Sequence, residues 1–332
     1  MVLKMKVSID IGAQNISIAQ GTQSGNKVIV KNTIKVRTPP FTIKDGEILN
    51  VELLYDVLKN ALDNNKITGD TVTVTINSTT IVTREMVVPK SNNAQIIKMI
   101  TNEMFQAKNL TTQYVIDYVI TDTIEENKVQ KYKVLAVAIP QHIVEGYVNL
   151  CNMLGFRKPI IDIQFNTIYK TFAIQPTVVA KEKPIIIASI GTNNGLFLII
   201  EKGKIVFSKT IALNTSKYIN LTSDKKTIDY TKVDLTTTHS ENRKRLVENF
   251  VYDIAQEIAK IMQFQFARSE FSTIDDIYLS GAITNAGGVE KRLSNLLDTK
   301  IKTISKPFCI KTKLNFKYSQ YIAIIGGLIR LK

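Results

Sequence analysis

The chain has 332 residues and a formal net charge of +14, with 44% hydrophobic and 22% charged residues. This length is typical of about two domains and allows a core that needs neither disulfides nor metals. The cysteines, Cys151 and Cys309, lack CxxC spacing, and two histidines are too few for a zinc site, so buried thiols are expected. No leader pattern opens the chain and no apolar run could span a bilayer, which predicts a cytoplasmic protein.

The positive charge leaves two interpretations open. Lysines are scattered over all segments, as expected of solvated surface faces. The same charge would also attract an anionic lipid surface or an acidic partner. A nucleic-acid partner is not predicted, because the sequence has no basic helix, no interleaving of aromatic and basic residues and no recognition motif.

In the first half, apolar alternation and helical spacing predict a mixture of strands and helices. The predicted strands are residues 5–11, 15–21, 26–36, 72–76, 81–88, 114–123, 132–139 and 160–163. The predicted helices are residues 51–64, 93–107, 141–154 and 166–173. Gly155 suits the position just after a helix, where a positive φ is needed.

The second half begins with the same pattern. The predicted strands are residues 184–190, 195–202, 204–212 and 277–279, and the predicted helices are 241–268, 289–297 and a short one within 321–330. Residues 214–240 are rich in Thr, Ser, Asp and Lys and predict a polar surface loop. Residues 280–288 predict a loop that contains glycines.

Two segments of the chain resemble each other, residues 8–19 and 188–199. Each reads as an apolar strand, a small polar turn with a glycine and a second apolar strand. Turns of this kind direct backbone N–H groups into a concavity that can receive phosphate. One such hairpin in each half predicts two related domains that face each other across a nucleotide cleft. The two copies differ at a sensitive position, where the first has Asp10 and the second has Ser189.

Further strings follow one another in a fixed order. They are Ile9-Asp10-Ile11-Gly12, Asp45-Gly46-Glu47-Ile48, Arg84-Glu85-Met86-Val87-Val88-Pro89, residues 134–140, Ile161-Asp162-Ile163, Tyr278-Leu279-Ser280-Gly281 and Ile324-Ile325-Gly326-Gly327-Leu328. No single string is decisive, but their order over nearly the whole chain resembles the actin-like ATPase superfamily. Within it, the chain resembles the type IV pilus assembly PilM family, a relative of the cell-division protein FtsA.

The resemblance implies the fold class and its domains. It implies an α/β, actin-like two-domain (ribonuclease H-like duplicated) fold with an inserted small α/β subdomain of the FtsA/PilM type. The first domain would comprise residues 1–77 and 135–183, with a C-terminal helix in 321–332 packing back on it. The inserted subdomain, called 1C in the family, would be residues 78–134. The second domain would be residues 184–320.

The resemblance also implies a site for ATP and Mg²⁺ between the domains. The residues it assigns to the nucleotide are Asp10, Gly12, Ala13, Gln14, Asn15, Ser17, Ser189, Gly191, Thr192, Asn193, Asn194, Ser280, Gly281, Ala282 and Asn285, with Gly287 and Gly288 also on the nucleoside side. Asp10 would act on Mg²⁺ through water, because Mg²⁺ keeps several waters and contacts few protein carboxylates. The alternative is that these are only tight hairpins and strand-end loops.

Departures from the family pattern bear on hydrolysis. Relatives commonly have lysine at the position of Ser17, aspartate at Ser189, a threonine-like residue at Gly195 and a second glycine at Ala282. The lysine would offset phosphate charge, and the aspartate would orient a water or metal; one such catalytic group is typically worth about 10²–10⁴ in rate. We therefore predict weak or non-hydrolysing nucleotide binding and assign no catalytic residue.

The family resemblance further implies a scaffold of the pilus inner-membrane platform. Its partners would be the cytoplasmic tail of a PilN-like bitopic membrane protein and other platform proteins, with self-association left open, and it would be recruited to the inner face of the cytoplasmic membrane. The candidate tail-binding residues are Val82, Arg84, Met86, Met99 and Phe105. The apolar members of this set are equally well explained as ordinary subdomain core.

Two other functions stay open at this point. One is an active ATPase of the same fold that drives pilus assembly. The other is an FtsA-like division protein, although that group usually carries a C-terminal amphipathic anchor, which the sequence up to Lys332 lacks. Acyl transfer is not supported, because no serine lies in a nucleophile elbow.

Overall fold

The computed structural model describes residues 4–108, 113–213 and 241–331. The predicted polar loop at 214–240 lies outside the described residues. The strands are β1 (Lys6–Ile11), β2 (Asn15–Ser24), β3 (Lys27–Arg37), β4 (Ile43–Lys44), β5 (Glu47–Ile48), β6 (Thr71–Ile76), β7 (Val82–Pro89), β8 (Tyr114–Glu126), β9 (Val129–Pro140), β10 (Ile160–Ile163), β11 (Ile185–Ile190), β12 (Asn194–Glu201), β13 (Lys204–Ala212), β14 (Asp276–Ser280), β15 (Ile301–Thr303) and β16 (Ile310–Lys311).

The helices agree closely with the periodicity of the sequence. The α-helices of the described residues are α1 (Val51–Asn64), α2 (Asn93–Lys108), α3 (Gln141–Met153), α4 (Gln164–Ala173), α5 (Pro176–Val179), α6 (Glu241–Arg268), α7 (Val289–Leu297) and α8 (Ile322–Gly327). Short 3₁₀ turns cover Ala282–Asn285 and Tyr318–Gln320. Asn50 caps α1 by accepting a hydrogen bond from the Leu53 N–H at 3.0 Å, which satisfies one of the unpaired N–H groups at the helix start.

Two sheets of the same topology form the two halves. The first has the strand order β10-β6-β1-β2-β3-β16, and the second has β15-β14-β11-β12-β13. In each sheet the first three strands in this order are parallel, and each of the next two is antiparallel to the strand before it. Strand β1 therefore corresponds to β11, and β2 corresponds to β12. The inner strands β6 and β11 are buried along nearly their whole length, because helices cover both faces of a parallel sheet.

An inserted unit lies between β6 and α3. Its three antiparallel strands have the order β7-β9-β8, and α2 packs on one face of this sheet. The buried side chains between α2 and the sheet form a core separate from the main one: Met86, Val88, Ile96, Ile100, Met104, Val134, Ala136 and Ala138. Strand β9 continues to Pro140 and leads directly into α3, so the sheet extends past the predicted boundary at residue 134.

The C-terminal segment packs back on the first half. Helix α8 lies against α4 and β1, where the backbones approach so closely that a Cβ at Gly326 would lie 1.7 Å from the Thr167 carbonyl oxygen. Strand β16 pairs in parallel with β3. Residues 310–311, which we placed in the second domain, therefore form an edge of the first sheet. The rest of the domain division stays a prediction.

We expect Gly326→Ala to lower the free energy of unfolding by about 2–3 kcal/mol, because its methyl group would force α8 or α4 to move. Gly146→Ala in α3 is the matched control, since a Cβ there meets only Ile48 at 3.7 Å. It should instead stabilise the protein by about 0.5–1 kcal/mol, as alanine does for a helix interior. Urea unfolding of both variants measures this, and equal effects would contradict the close packing of α8.

Candidate nucleotide cleft

The two similar hairpins face each other across a cleft of about 340 Å³. This volume lies within the usual range for ligand sites, about 300–1,000 Å³. Residues 10–15 and Ser17 line one side, and Ser189 with residues 191–194 lines the other. The two hairpins therefore face each other across one cleft, as the sequence predicted.

The hairpins share their backbone hydrogen bonds as well as their sequence pattern. The Gly12 N–H donates to the Asn15 carbonyl at 3.0 Å, and the Gly191 N–H donates to the Asn194 carbonyl at 2.9 Å. A second pair of equivalent bonds links each turn to the chain just beyond its third strand: the Thr38 N–H donates to Gln14 O, and the Leu213 N–H donates to Asn193 O. The two turns therefore have equivalent backbone hydrogen bonds, and turns of this kind can form an anion-binding concavity.

The side chains differ where the inner strands end. Asp10 lies opposite Ser17 of β2 and opposite Thr75 of β6, so the three share one face of the first sheet. In the second sheet Ser189 of β11 takes the position of Asp10. Ser280 of β14 lies opposite it, as Thr75 lies opposite Asp10. The carboxylate of the first half therefore has a serine hydroxyl as its counterpart across the cleft.

Burial dominates the electrostatics of Asp10. It raises the pKa of this carboxyl to about 6, and the Lys35 ammonium opposes this change. The buried hydroxyls of Tyr147 and Thr75, in this same region, have no hydrogen-bond partner in the protein. A carboxylate that is costly to ionise in the protein alone is one that a bound cation would stabilise.

These observations fit a magnesium ion held mainly by water and by nucleotide phosphates. Among the described residues, no three His, Cys, Asp or Glu side chains cluster to form a metal site. One carboxylate, Asp10, is sufficient for Mg²⁺ in this arrangement. Asp45 also lines the cleft, but its two oxygens accept hydrogen bonds from the backbone N–H and the hydroxyl of Thr79.

The loop after β14 forms the third wall. Gly281 has φ of +85°, and a Cβ there would lie 2.5 Å from the Ile190 carbonyl oxygen, so glycine is required. Its N–H donates to the Ser319 carbonyl at 2.9 Å, which ties the loop to the C-terminal segment. Gly281 and Ala282 line the cleft as predicted, whereas Ser280 and Asn285 do not. Ser280 is fully buried behind the wall, and Asn285 accepts a hydrogen bond from Gln320.

Several cleft residues were missed because nothing in their local sequence marks them. Thr210 of β13 donates to the Asn77 side-chain oxygen at 2.9 Å, and the Asn77 amide donates to Gln164 at 2.8 Å. This chain of hydrogen bonds joins the second sheet to the first beneath the cleft. The predicted helix started at residue 166, but α4 begins at Gln164 and so presents that amide to the cleft. Lys35, Ser319 and Gln320 were missed as well.

The candidate tail-binding residues lie on and beneath α2. Arg84 pairs with the Glu103 carboxylate of α2 at 3.3 Å. Met86 is 3% exposed and belongs to the core of the inserted unit, so its assignment to an accessible groove is corrected. Val82, Met99 and Phe105 are partly buried.

The other face of the same sheet borders the first half. Leu135 of β9 is buried in the main core, and Val119 of β8 lies directly opposite it on the same face. Val119 is nevertheless 50% exposed, and Val115, four residues earlier on β8 and on the same face, is 41% exposed. In the described residues β8 pairs only with β9, so its other edge has unpaired backbone groups. The accessible apolar surface at the junction is therefore on β8, which sequence reasoning did not select.

We expect Asp10→Asn to stabilise the ligand-free protein at pH 8 by about 1–3 kcal/mol, because ionising a carboxyl whose folded pKa is raised to about 6 costs folding free energy. This cost is fully present above pH 6 and disappears as the pH falls below the unfolded value of about 4. The difference between the variant and the original chain should accordingly vanish near pH 4. Urea unfolding at pH 4 and pH 8 measures this difference in the free energy of unfolding. A difference that does not change with pH would contradict the raised pKa of Asp10.

Comparisons with known proteins agree with this architecture. Residues 8–320 match the family described as type IV pilus assembly protein PilM. Comparison with curated protein sequences gave no match. Within the described residues, no helix has the length and apolar character needed to cross a bilayer.

Solved structures share the fold at low sequence identity. A PilM-PilN type IV pilus biogenesis complex superposes with a TM-score of 0.82 at 15% identity, covering 97% of each chain. The ethanolamine utilization protein EutJ from Carboxydothermus hydrogenoformans gives 0.58 at 11% identity, covering 99% of this chain and 90% of that one. MreB5 of Spiroplasma citri bound to AMPPNP gives 0.55 at 12% identity, covering 98% and 95%. The predicted actin-like α/β fold is confirmed, and the match over residues 8–320 makes this chain a member of the PilM family of type IV pilus assembly proteins.

Proposed function

We propose that the chain is a scaffold of the type IV pilus inner-membrane platform and that it binds the cytoplasmic N-terminal tail of a PilN-like membrane protein. Membership of the PilM family and the fold shared with a PilM-PilN complex support this function. The observation that carries it is the inserted unit, which has a helix, a sheet and a core of its own. A small unit of this kind offers a surface that the two main sheets do not need for their own packing.

The tail is placed in the junction between the inserted unit and the first half. An extended peptide can pair with an unpaired strand edge while its side chains enter apolar pockets. Strand β8 meets both requirements, since no described strand pairs with its outer edge and it exposes Val115 and Val119 beside the main core. The other edge strand, β7, is less available, because Thr83 already donates to the Ser208 carbonyl of β13 at 3.1 Å.

The face of β7 that α2 covers is the second candidate for the tail. Arg84 there is about one-third exposed and already paired with Glu103, so a carboxylate on the tail would compete with an existing ion pair. Met86, Met99 and Met104 surround this region. Methionine side chains repack easily, which would let this core adapt to a bound peptide.

Binding such a tail would bring the chain to the inner face of the cytoplasmic membrane. The partner's own membrane segment would supply the anchor. The net charge of +14 would add a favourable interaction with anionic lipids. Other platform proteins and further copies of the chain would then meet it at that surface.

We further propose that the cleft binds Mg-ATP without efficient hydrolysis. The two facing turns provide N–H groups for phosphates, and Asp10 provides the carboxylate for the magnesium shell. The matching position in the second hairpin is Ser189, which cannot accept a proton from water or orient a metal as a carboxylate does. The nucleotide would therefore act as a structural ligand that holds the two halves together.

For the tail, we expect Val119→Asp to weaken binding at least tenfold, because it places a charge in an apolar contact. Val129→Asp is the matched control: Val129 is 51% exposed, close to the 50% of Val119, but lies at the far hairpin of the same sheet. Fluorescence anisotropy with the labelled N-terminal peptide of the PilN-like protein measures both.

Equal binding by the two valine variants would contradict the placement on β8. Loss of binding in Arg84→Ala, with Val119→Asp unaffected, would move the tail to the α2 face. If the unaltered chain fails to bind the peptide at all, with or without Mg-ATP, the scaffold proposal is wrong.

For hydrolysis, we expect the unaltered chain to release phosphate from Mg-ATP no faster than Asp10→Asn does. Ser189→Asp should raise the rate, because it restores a carboxylate across the cleft from Asp10, whereas the neutral Ser189→Asn should not. A coupled phosphate-release assay distinguishes these outcomes. Asp10-dependent turnover by the unaltered chain would instead favour the active ATPase.

A further inference from the structure

The cleft has a single cationic side chain among the described residues that line it. Its wall includes two carboxylates, Asp10 and Asp45, together with amides, hydroxyls and backbone groups. Of the described lining residues, Lys35 of β3 alone carries a positive charge. A triphosphate entering this cleft needs positive charge, because its own charges would otherwise be repelled by Asp10.

Strand register fixes where Lys35 stands. Ser17 of β2 pairs with Asp10 on one side and with Lys35 on the other, so all three lie in one row across the first sheet and on one face of it. Neighbouring strands are about 4.8 Å apart, which places Lys35 two strands from the carboxylate. The charge of Lys35 acts on Asp10 across this gap, because it opposes the rise that burial causes in the pKa of the carboxyl.

The ammonium of Lys35 is held at the rim of the cleft. Its Nζ lies 3.1 Å from the Gln320 side-chain oxygen and 5.3 Å from the centre of the Tyr321 ring. Gln320 in turn donates to Asn285, beyond the wall formed by Gly281. Lys35 therefore stands between the hairpin of residues 12–15 and the wall on the opposite half. A phosphate oxygen would replace the neutral amide oxygen of Gln320 as the partner of the ammonium, which adds the attraction between two opposite charges.

We propose that Lys35 binds the phosphates of the nucleotide and supplies the counter-charge of this cleft from the third strand. Ser17, the residue nearest to Asp10 in the row, is uncharged and 7% exposed, so it cannot perform this role. The ligand class is a nucleoside di- or triphosphate with Mg²⁺, in which Asp10 faces the metal and Lys35 faces the phosphates. This inference rests on the proposed nucleotide binding and assigns one further residue to that site.

The test compares Lys35→Met with Lys31→Met by isothermal titration of Mg-ATP, Mg-ADP and adenosine. Lys31 lies on the same strand and does not line the cleft. Loss of a charge-assisted hydrogen bond predicts affinity for Mg-ATP about 10- to 100-fold lower in Lys35→Met and unchanged in Lys31→Met. Adenosine, which has no phosphate, should bind both variants equally well. Lys35→Gln, which keeps a polar side chain, should resemble Lys35→Met.

The outcomes separate the two proposals. If the unaltered chain binds none of the three ligands at millimolar concentration, nucleotide binding itself is wrong. If it binds Mg-ATP and both Lys35 variants bind it equally well, only the role of Lys35 is wrong. A parallel loss of adenosine affinity would also overturn that role, because it would mean that Lys35 acts through Gln320 and Tyr321 on the nucleoside wall.

Discussion

The arrangement of the whole molecule depends on two backbone turns that meet across one cleft. In each turn a glycine N–H donates to the carbonyl three residues ahead, between Gly12 and Asn15 and between Gly191 and Asn194. These bonds shape the ends of strands that run through the centres of the two sheets. Because five strands of the first sheet have the same order as the second sheet, equivalent backbone groups of the two halves face each other across the cleft.

The symmetry of the backbone is not matched by the side chains. One half contributes a partly buried carboxylate with a raised pKa, Asp10, and Lys35 from the same row of the sheet, while the other contributes Ser189. We propose that these groups bind a charged ligand, whereas Ser189 cannot act with Asp10 as a symmetric pair of carboxylates. In our proposal the useful result of nucleotide binding is a fixed relation between the halves. The inserted unit touches both of them, through β9 entering α3 and through Arg268 of α6, which pairs with Glu85 of β7 at 2.7 Å.

Much of the fold was predictable from the sequence because its strands and helices have strong periodicity. The hairpin at residues 8–19, the strand at 204–212 and the helix at 289–297 follow directly from apolar spacing and glycine turns. The fold class followed from the order of short strings rather than from any one of them. Most of the predicted nucleotide residues line the cleft, because they lie within or next to those turns.

What the sequence did not reveal depends on register and on contacts distant in the chain. Lys35 enters the cleft only because β3 pairs with β2 so that it falls opposite Ser17, 18 residues earlier. Ser319 and Gln320 reach the cleft from the C-terminal segment, and β16 returns to the first sheet across a long separation. From the sequence we assigned Met86 to the groove, but the pleat of β7 directs its side chain into the core beneath α2. Exposure of Val119 likewise depends on how the inserted sheet is set against the first half.

Electron density in crystals grown with Mg-ATP would show directly whether the nucleotide joins the two turns. We expect an intact triphosphate between residues 12–15 and 191–194, with magnesium beside Asp10 and the nucleoside against Gly281. Density that is absent from this cleft at saturating Mg-ATP, or that lies elsewhere on the protein, would contradict this expectation.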